Sequence, residues 1–265
     1  MNATTALIRS LRAEALKAAG LPGAWLGAAL ALVIPALAEY LMDRNMQVRS
    51  AAGDPDAMAV LPDVGIASVA MGVAGVAVLA ASVVAGEYTR DPRNGSSRQV
   101  TTTMLVQPRR GAAAAAKLMV VLAAALVLLA LAWAATFSLC RHLLGSRTPL
   151  GPMPWWMLTG ILAWWLFSAA ASMALAAATR SAMASMTAPI AMSTMISPGV
   201  LLIKSTDAAR FLPDAAAVRL IANPTTLNYD RLVELLSVPM AAAVCAAWAG
   251  GCAVALCWVW MRRDA

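Results

Sequence analysis

Leu118–Leu139 reads LMVVLAAALVLLALAWAATFSL, twenty-two residues without an Asp, Glu, Lys, Arg or His. About 20 such residues, rising 1.5 Å each, carry a helix across a hydrocarbon core of ~30 Å. Five further stretches lack those residues as completely: Leu21–Ala38, Val64–Gly86, Met153–Thr179, Ser181–Ile203 and Leu235–Met261. A spanning segment must satisfy its own backbone, so these runs are expected as helices. A transmembrane barrel would alternate apolar and polar residues, and these runs do not. Composition agrees: 61% of the 265 residues are hydrophobic and 12% charged, against about 25% charged in a soluble domain. The expected fold is an all-α integral membrane protein, one transmembrane domain over residues 1–265 with six transmembrane helices. Arg180 alone separates the fourth and fifth stretches, which predicts a hairpin with a very short turn.

Lys and Arg orient the chain. With a cytoplasmic N-terminus, Arg9, Arg12, Lys17, Arg90, Arg93, Arg98, Arg109, Arg110, Lys117, Arg180, Arg262 and Arg263 lie inside. They share that side with Glu14, Glu87, Asp91 and Asp264, for a net +8. The other side holds eight cations and nine acids, for −1, and the two sides make up the chain's +7. Cationic loops stay in the cytoplasm, so both termini are expected there. This asymmetry explains the basic balance without a nucleic-acid partner. The excess of Arg over Lys and the abundance of Ala point to a GC-rich bacterial genome, hence to a bacterial cell membrane.

The polar, cationic first twenty residues are unlike a cleavable leader. Within residues 4–19, Leu7, Ile8, Leu11 and Ala15 recur at helical spacing, with Arg9, Arg12 and Lys17 elsewhere. That pattern predicts an amphipathic helix in the cytoplasmic interface. Glu39–Asp63 is expected as an acidic external loop with a turn at Gly53-Asp54-Pro55-Asp56. Trp155 and Trp156, after the loop 140–152, fit an interfacial aromatic belt. Residues 204–234, broken by Pro213 and Pro224, are expected as short helices on or dipping into the outer face, tucked against protein. Pro189 and Ser197-Pro198-Gly199 predict a kink or break near residue 198. Ser68, Gly72 and Gly75, and Ser168 with Ser172, form small faces for close helix packing, within the chain or between subunits. Cys140, Cys245, Cys252 and Cys257 lie in or at the end of apolar runs and read as buried small hydrophobes rather than disulfides or metal ligands.

Membrane enzymes and ion-coupled carriers place ionisable groups within their spans, and the six apolar stretches hold none. His142, the single histidine, stands beside Arg141 with no Gly-x-Ser-x-Gly element to serve. No Gly-x-x-x-x-Gly-Lys-[Ser/Thr] loop is present to cradle a nucleotide. No cofactor is therefore expected in this chain, and any ATP chemistry would reside in another.

The informative stretch lies between the second and third spans, residues 87–117. Ala85-Gly86-Glu87-Tyr88-Thr89-Arg90 opens it. Arg98-Gln99-Val100-Thr101-Thr102-Thr103-Met104-Leu105-Val106-Gln107-Pro108-Arg109-Arg110 follows, then Gly111, five alanines and Lys117. This resembles the permease subunits of type-2 ABC transporters. There the second span ends in Gly-Glu-Tyr, and a Pro-Arg-Arg-type element precedes an Ala-Lys approach to the third. Here Arg90-Asp91-Pro92-Arg93-Asn94-Gly95 intervenes where the family moves almost directly into its helix. The resemblance implies that the loop contains a coupling helix docking on an ATP-binding subunit, with Glu87, Tyr88, Arg90, Arg98, Gln99, Thr101, Thr102, Thr103, Met104, Pro108, Arg109 and Arg110 at the contact. It implies an exporter of two permeases, identical or related, with two ATP-binding subunits carrying ATP and Mg. Its second and fifth spans would line the path, at Ser68, Met71, Gly72, Met192, Met195 and Ser197. The substrate, whether drug, peptide antibiotic or lipid, stays open. The rival readings are a membrane-embedded enzyme and a non-transporting anchor or immunity protein.

Overall fold

The computed structural model describes residues 3–54, 65–88, 110–145, 155–192, 197–221 and 230–262, and among them it is all-helical. In chain order the helices are α1 (Ala3–Ala19), α2 (Pro22–Ala51), α3 (Ile66–Ala70), α4 (Val73–Ala85), α5 (Arg110–Leu144) and α6 (Trp155–Thr179). They continue as α7 (Ala182–Met192), α8 (Pro198–Leu202), a 3-10 turn (Asp207–Phe211), α9 (Pro213–Ile221), α10 (Asp230–Leu235) and α11 (Val238–Arg262). Among the described residues, five helices are long and apolar enough to cross a membrane: Pro22–Ala51, Ala67–Ala85 (α3 and α4 together), Arg110–Leu144, Trp155–Thr179 and Val238–Arg262. They fit a membrane protein. The stretch 181–203 appears as α7, of 11 residues, and the five-residue α8. Residues 193–196 between them lie outside the described set.

Two helices run past the limits that their charges set. α2 begins with Pro22 in its first turn, where a missing N–H costs nothing. It continues through the expected loop start at Glu39 to Ala51, because one stripe stays buried throughout: Ala24, Gly27, Ala31, Pro35, Glu39, Asp43 and Met46. Gly53, at φ +82°, then turns the chain, with Arg49 bridging Asp54 at 2.6 Å. α5 starts at Arg110 rather than near Leu118, since the five alanines preceding Lys117 are the best helix formers available. The hairpin at Arg180 forms as expected: Arg180 takes the left-handed conformation (φ 57°), and the Ser181 hydroxyl accepts from the Ala184 N–H.

Burial separates centre from periphery. In the apolar stretches of the α3–α4 pair and α6, 67% and 72% of the residues are buried, against 22%, 22% and 17% in those of α2, α5 and α11. The outer helices therefore turn apolar side chains outward, among them Val33, Leu37, Val127, Leu131 and Val254. At the centre, the Trp165 indole of α6 donates to the Val69 carbonyl at 3.1 Å, beside the turn at Met71–Gly72 that parts α3 from α4. The small face on α4 lets α2 approach to backbone contact. A Cβ on Gly75 would strike the Ala31 backbone and the Gly27 carbonyl, and one on Gly27 would strike the backbone of Leu79.

Gly75→Ala is therefore expected to lower stability by about 1–3 kcal/mol through overpacking, read as a drop in thermal unfolding temperature in detergent. Gly251→Ala on α11, where a Cβ meets nothing within 4 Å, should be neutral or slightly stabilising. Equal effects at both positions would refute the close crossing.

Candidate functional site

Lys117 is almost fully buried near the start of α5. A dry ammonium needs anions, and two arrive from distant parts of the chain. Its Nζ donates to Glu14 Oε2 of α1 and to Glu87 Oε1 just beyond α4, at 2.8 Å. Lys17 Nζ closes the ring, 2.8 Å from Glu14 Oε1 and 3.3 Å from Glu87 Oε1. Two cations and two anions thus join α1, α4 and α5. The Trp260 ring of α11 lies 5.6 Å from the Lys117 ammonium and edge-on to Tyr88 at 6.2 Å. The Arg180 guanidinium sits over the other ring neighbour, Tyr88, at 5.6 Å. The cluster therefore also touches α11 and the α6–α7 turn.

Electrostatics follow from this packing. Burial raises the Glu14 carboxyl, but Lys117 by charge and hydrogen bond, helped by Lys17, outweighs it and holds the carboxyl below its ordinary 4.5. Burial likewise opposes the Lys17 ammonium, and Glu14 and Glu87 outweigh it, raising it above 10.5. Glu87 Oε2 is buried without a hydrogen-bond partner among the described residues.

Of the expected coupling residues, Glu87, Tyr88 and Arg110 are described, and they flank the connection. Arg90, Arg98, Gln99, Thr101, Thr102, Thr103, Met104, Pro108 and Arg109 lie outside the described residues. Glu87, expected at the contact with an ATP-binding subunit, holds Lys117 and Lys17 of its own chain, because α1 packs along α5 and brings Glu14 and Lys17 inward. On α1, Glu14 is buried, whereas Ile8 and Ala15 of the expected apolar stripe are exposed, as is Leu16.

The path positions are scattered. Ser68 is buried, its hydroxyl 3.5 Å from the Met42 sulfur, and Gly72 is covered by Trp165. Met71 is half-buried, and Met195 lies outside the described residues. Met192 lines an open apolar pocket of about 580 Å³ between α6, α7 and α11, with Phe167, Pro189, Trp248 and Cys252. Ser197 caps α8, accepting from the Val200 N–H. The break near residue 198 is secured by Asp214, whose Oδ2 accepts from the Gly199 N–H at 2.5 Å. Glu14, Lys17, Lys117 and Asp214 escape a sequence reading, although Glu14 and Lys17 at i,i+3 are a visible pair. No protein-family model, curated protein or solved structure matches the chain.

Lys117→Met should cost about 3–5 kcal/mol by stranding two buried carboxylates, and adding Glu14→Gln and Glu87→Gln should recover most of it. Thermal unfolding in detergent checks both. The pH dependence has a definite sign. The Glu14 contribution is present above pH 4.5 and lost as pH falls through its depressed value. The Lys17 contribution is present below pH 10.5 and lost as pH rises through its elevated one. Stability should thus plateau between those limits, and Glu14→Gln should flatten the acid edge; an unchanged acid edge would speak against the cluster.

Proposed function

We propose that the chain is the membrane subunit of an ATP-driven exporter of the type-2 ABC kind, working with two ATP-binding subunits and a second permease, identical or related. The supporting observation is the tie across the base of the 89–109 connection. Glu87 and Lys117, on either side of it, hydrogen-bond to each other inside a cluster that includes α1 and adjoins α11. A push on that connection by an ATPase would reach four elements together instead of dissipating in a loose loop.

In this reading α1 lies in the cytoplasmic interface, with Ile8 and Leu16 offered to acyl chains, and both termini are cytoplasmic. The stretch 181–203 provides a sixth, broken crossing of the bacterial cell membrane. ATP and Mg belong to the partner, which the chain's lack of a phosphate-binding loop favours. The exported substrate would be a drug, a peptide antibiotic or a lipid, in keeping with the apolar pocket beside Met192. A membrane-embedded enzyme or an immunity protein would need no docking partner at residues 98–110.

The test is co-expression with a candidate ATP-binding subunit. Met104→Asp, or Arg98→Glu with Arg109→Glu, should preserve membrane insertion but lose co-purification and export more than tenfold. Burying an unpaired aspartate costs several kcal/mol, and ~1.4 kcal/mol already changes association tenfold. The purified chain alone should hydrolyse no ATP. Variants that assemble and export like the parent would reduce the connection to a solvated linker and remove the exporter reading.

A further inference from the structure

At the far end of α5 from Lys117 lies a second buried polar group, of opposite character. Glu39 and Asp43 stand one turn apart on the buried stripe of α2, and Cys140 meets them from α5. Their exposures are 4%, 1% and 1%, and Met46, Leu144 and Phe137 pack around the thiol. One carboxylate oxygen from each acid and the Cys140 Sγ all lie within 4.8 Å of one another. Both oxygens of Asp43 are buried without a hydrogen-bond partner among the described residues.

Among the described residues, four polar side chains of the flanking turns are engaged elsewhere. Arg44 donates to Gln47, Arg49 to Asp54, and the Gln47 amide to the Leu143 carbonyl at 2.6 Å. Arg141 is exposed and lies over the Phe137 ring. Two carboxyl groups thus share a dry site whose unpaired member is aimed at a second acid and a thiol. Isolated, such a group is costly, and a like charge beside it makes ionisation costlier. A divalent cation removes both penalties at once.

We propose that Glu39, Asp43 and Cys140 bind one divalent transition-metal ion of the zinc class, clamping α2 to α5. The thiol decides the class: magnesium and calcium take oxygen ligands, whereas zinc accepts thiolate and carboxylate together. Zinc–oxygen distances of about 2.0–2.2 Å and a zinc–sulfur distance of about 2.3 Å place tetrahedral ligands roughly 3.3–3.8 Å apart. The three donors, within 4.8 Å of one another, would have to close by at most about 1–1.5 Å to reach that spacing. The fourth position is left to water, as in other three-ligand zinc sites. The inference is independent of the exporter reading.

The experiment uses the full-length chain in detergent micelles, stripped with a chelator and titrated with Co²⁺ and then Zn²⁺. One Co²⁺ per chain should bind with visible d–d bands and a thiolate-to-cobalt charge-transfer band, and Zn²⁺ should bleach both and raise the unfolding temperature. Cys140→Ser should lose the charge-transfer band, while Cys252→Ser should keep it. Asp43→Asn, nearly isosteric and retaining the thiol, should weaken binding about tenfold or more, since even outer-shell losses cost 10–100-fold. It also keeps the test decisive should Cys140→Ser fail to fold. No Co²⁺ bands and no Zn²⁺-dependent stabilisation, or bands that survive in Cys140→Ser, would overturn the proposal.

Discussion

The ammonium of Lys117 has to be neutralised where water does not reach it, and most of the arrangement answers to that need. Its two carboxylates come from two distant points earlier in the chain, Glu14 before the first long helix and Glu87 after α4. Satisfying them fixes α1 along α5 and brings the end of α4 to the start of α5. Lys17 then completes a four-charge ring in which each ion meets two opposite ones, the condition under which a buried ion cluster is tolerable. Trp260 and Tyr88 shield this ring and bring in the C-terminal end of α11 and, through Arg180, the α6–α7 turn.

Elsewhere the bundle is held by contacts that suit lipid. Lipid tails are as apolar as the side chains, so helices gain little from hiding leucines and associate through close packing and polar ties. The crossing of α2 and α4 at Gly27, Ala31 and Gly75 is of the first kind. The indole bonds are of the second: Trp165 to Val69 and Trp248 to the Phe211 carbonyl, 2.8 Å. Arg219 donates to the Leu236 carbonyl at 2.9 Å, past the end of α10. Together with Asp214 on Gly199, Arg219 ties short elements of residues 197–236 to one another, and Trp248 ties them to α11.

Features governed by local chemistry could be read before any coordinates: the apolar helices, the Arg180 hairpin, the turn at Gly53, the interruption near residue 198 and the small face of α4. Features governed by pairing across the chain could not. A charge in a sequence looks like the end of a span, yet α2 continues through Glu39 and Asp43 and α5 begins before Lys117. In each case a buried stripe keeps its period through the charged residue, and only the fold reveals what that residue faces. For the same reason nothing in the sequence of α1 marks Glu14 as the residue that faces protein. The resemblance spans residues 86–117, of which 89–109 lie outside the described residues, so the proposed docking rests on the anchorage at either side.

α5 also works as a ruler. From Lys117 to Cys140 it rises about 35 Å, slightly more than a hydrocarbon core of ~30 Å. In the proposed membrane placement, the ion ring and the carboxylate–thiol group would stand near the two boundaries of the apolar slab, one on each side. A helix held at both margins cannot relieve a change in bilayer thickness by sliding, and must tilt or draw one polar group towards the tails. In that placement, lipids of another chain length would load strain onto one cluster or the other.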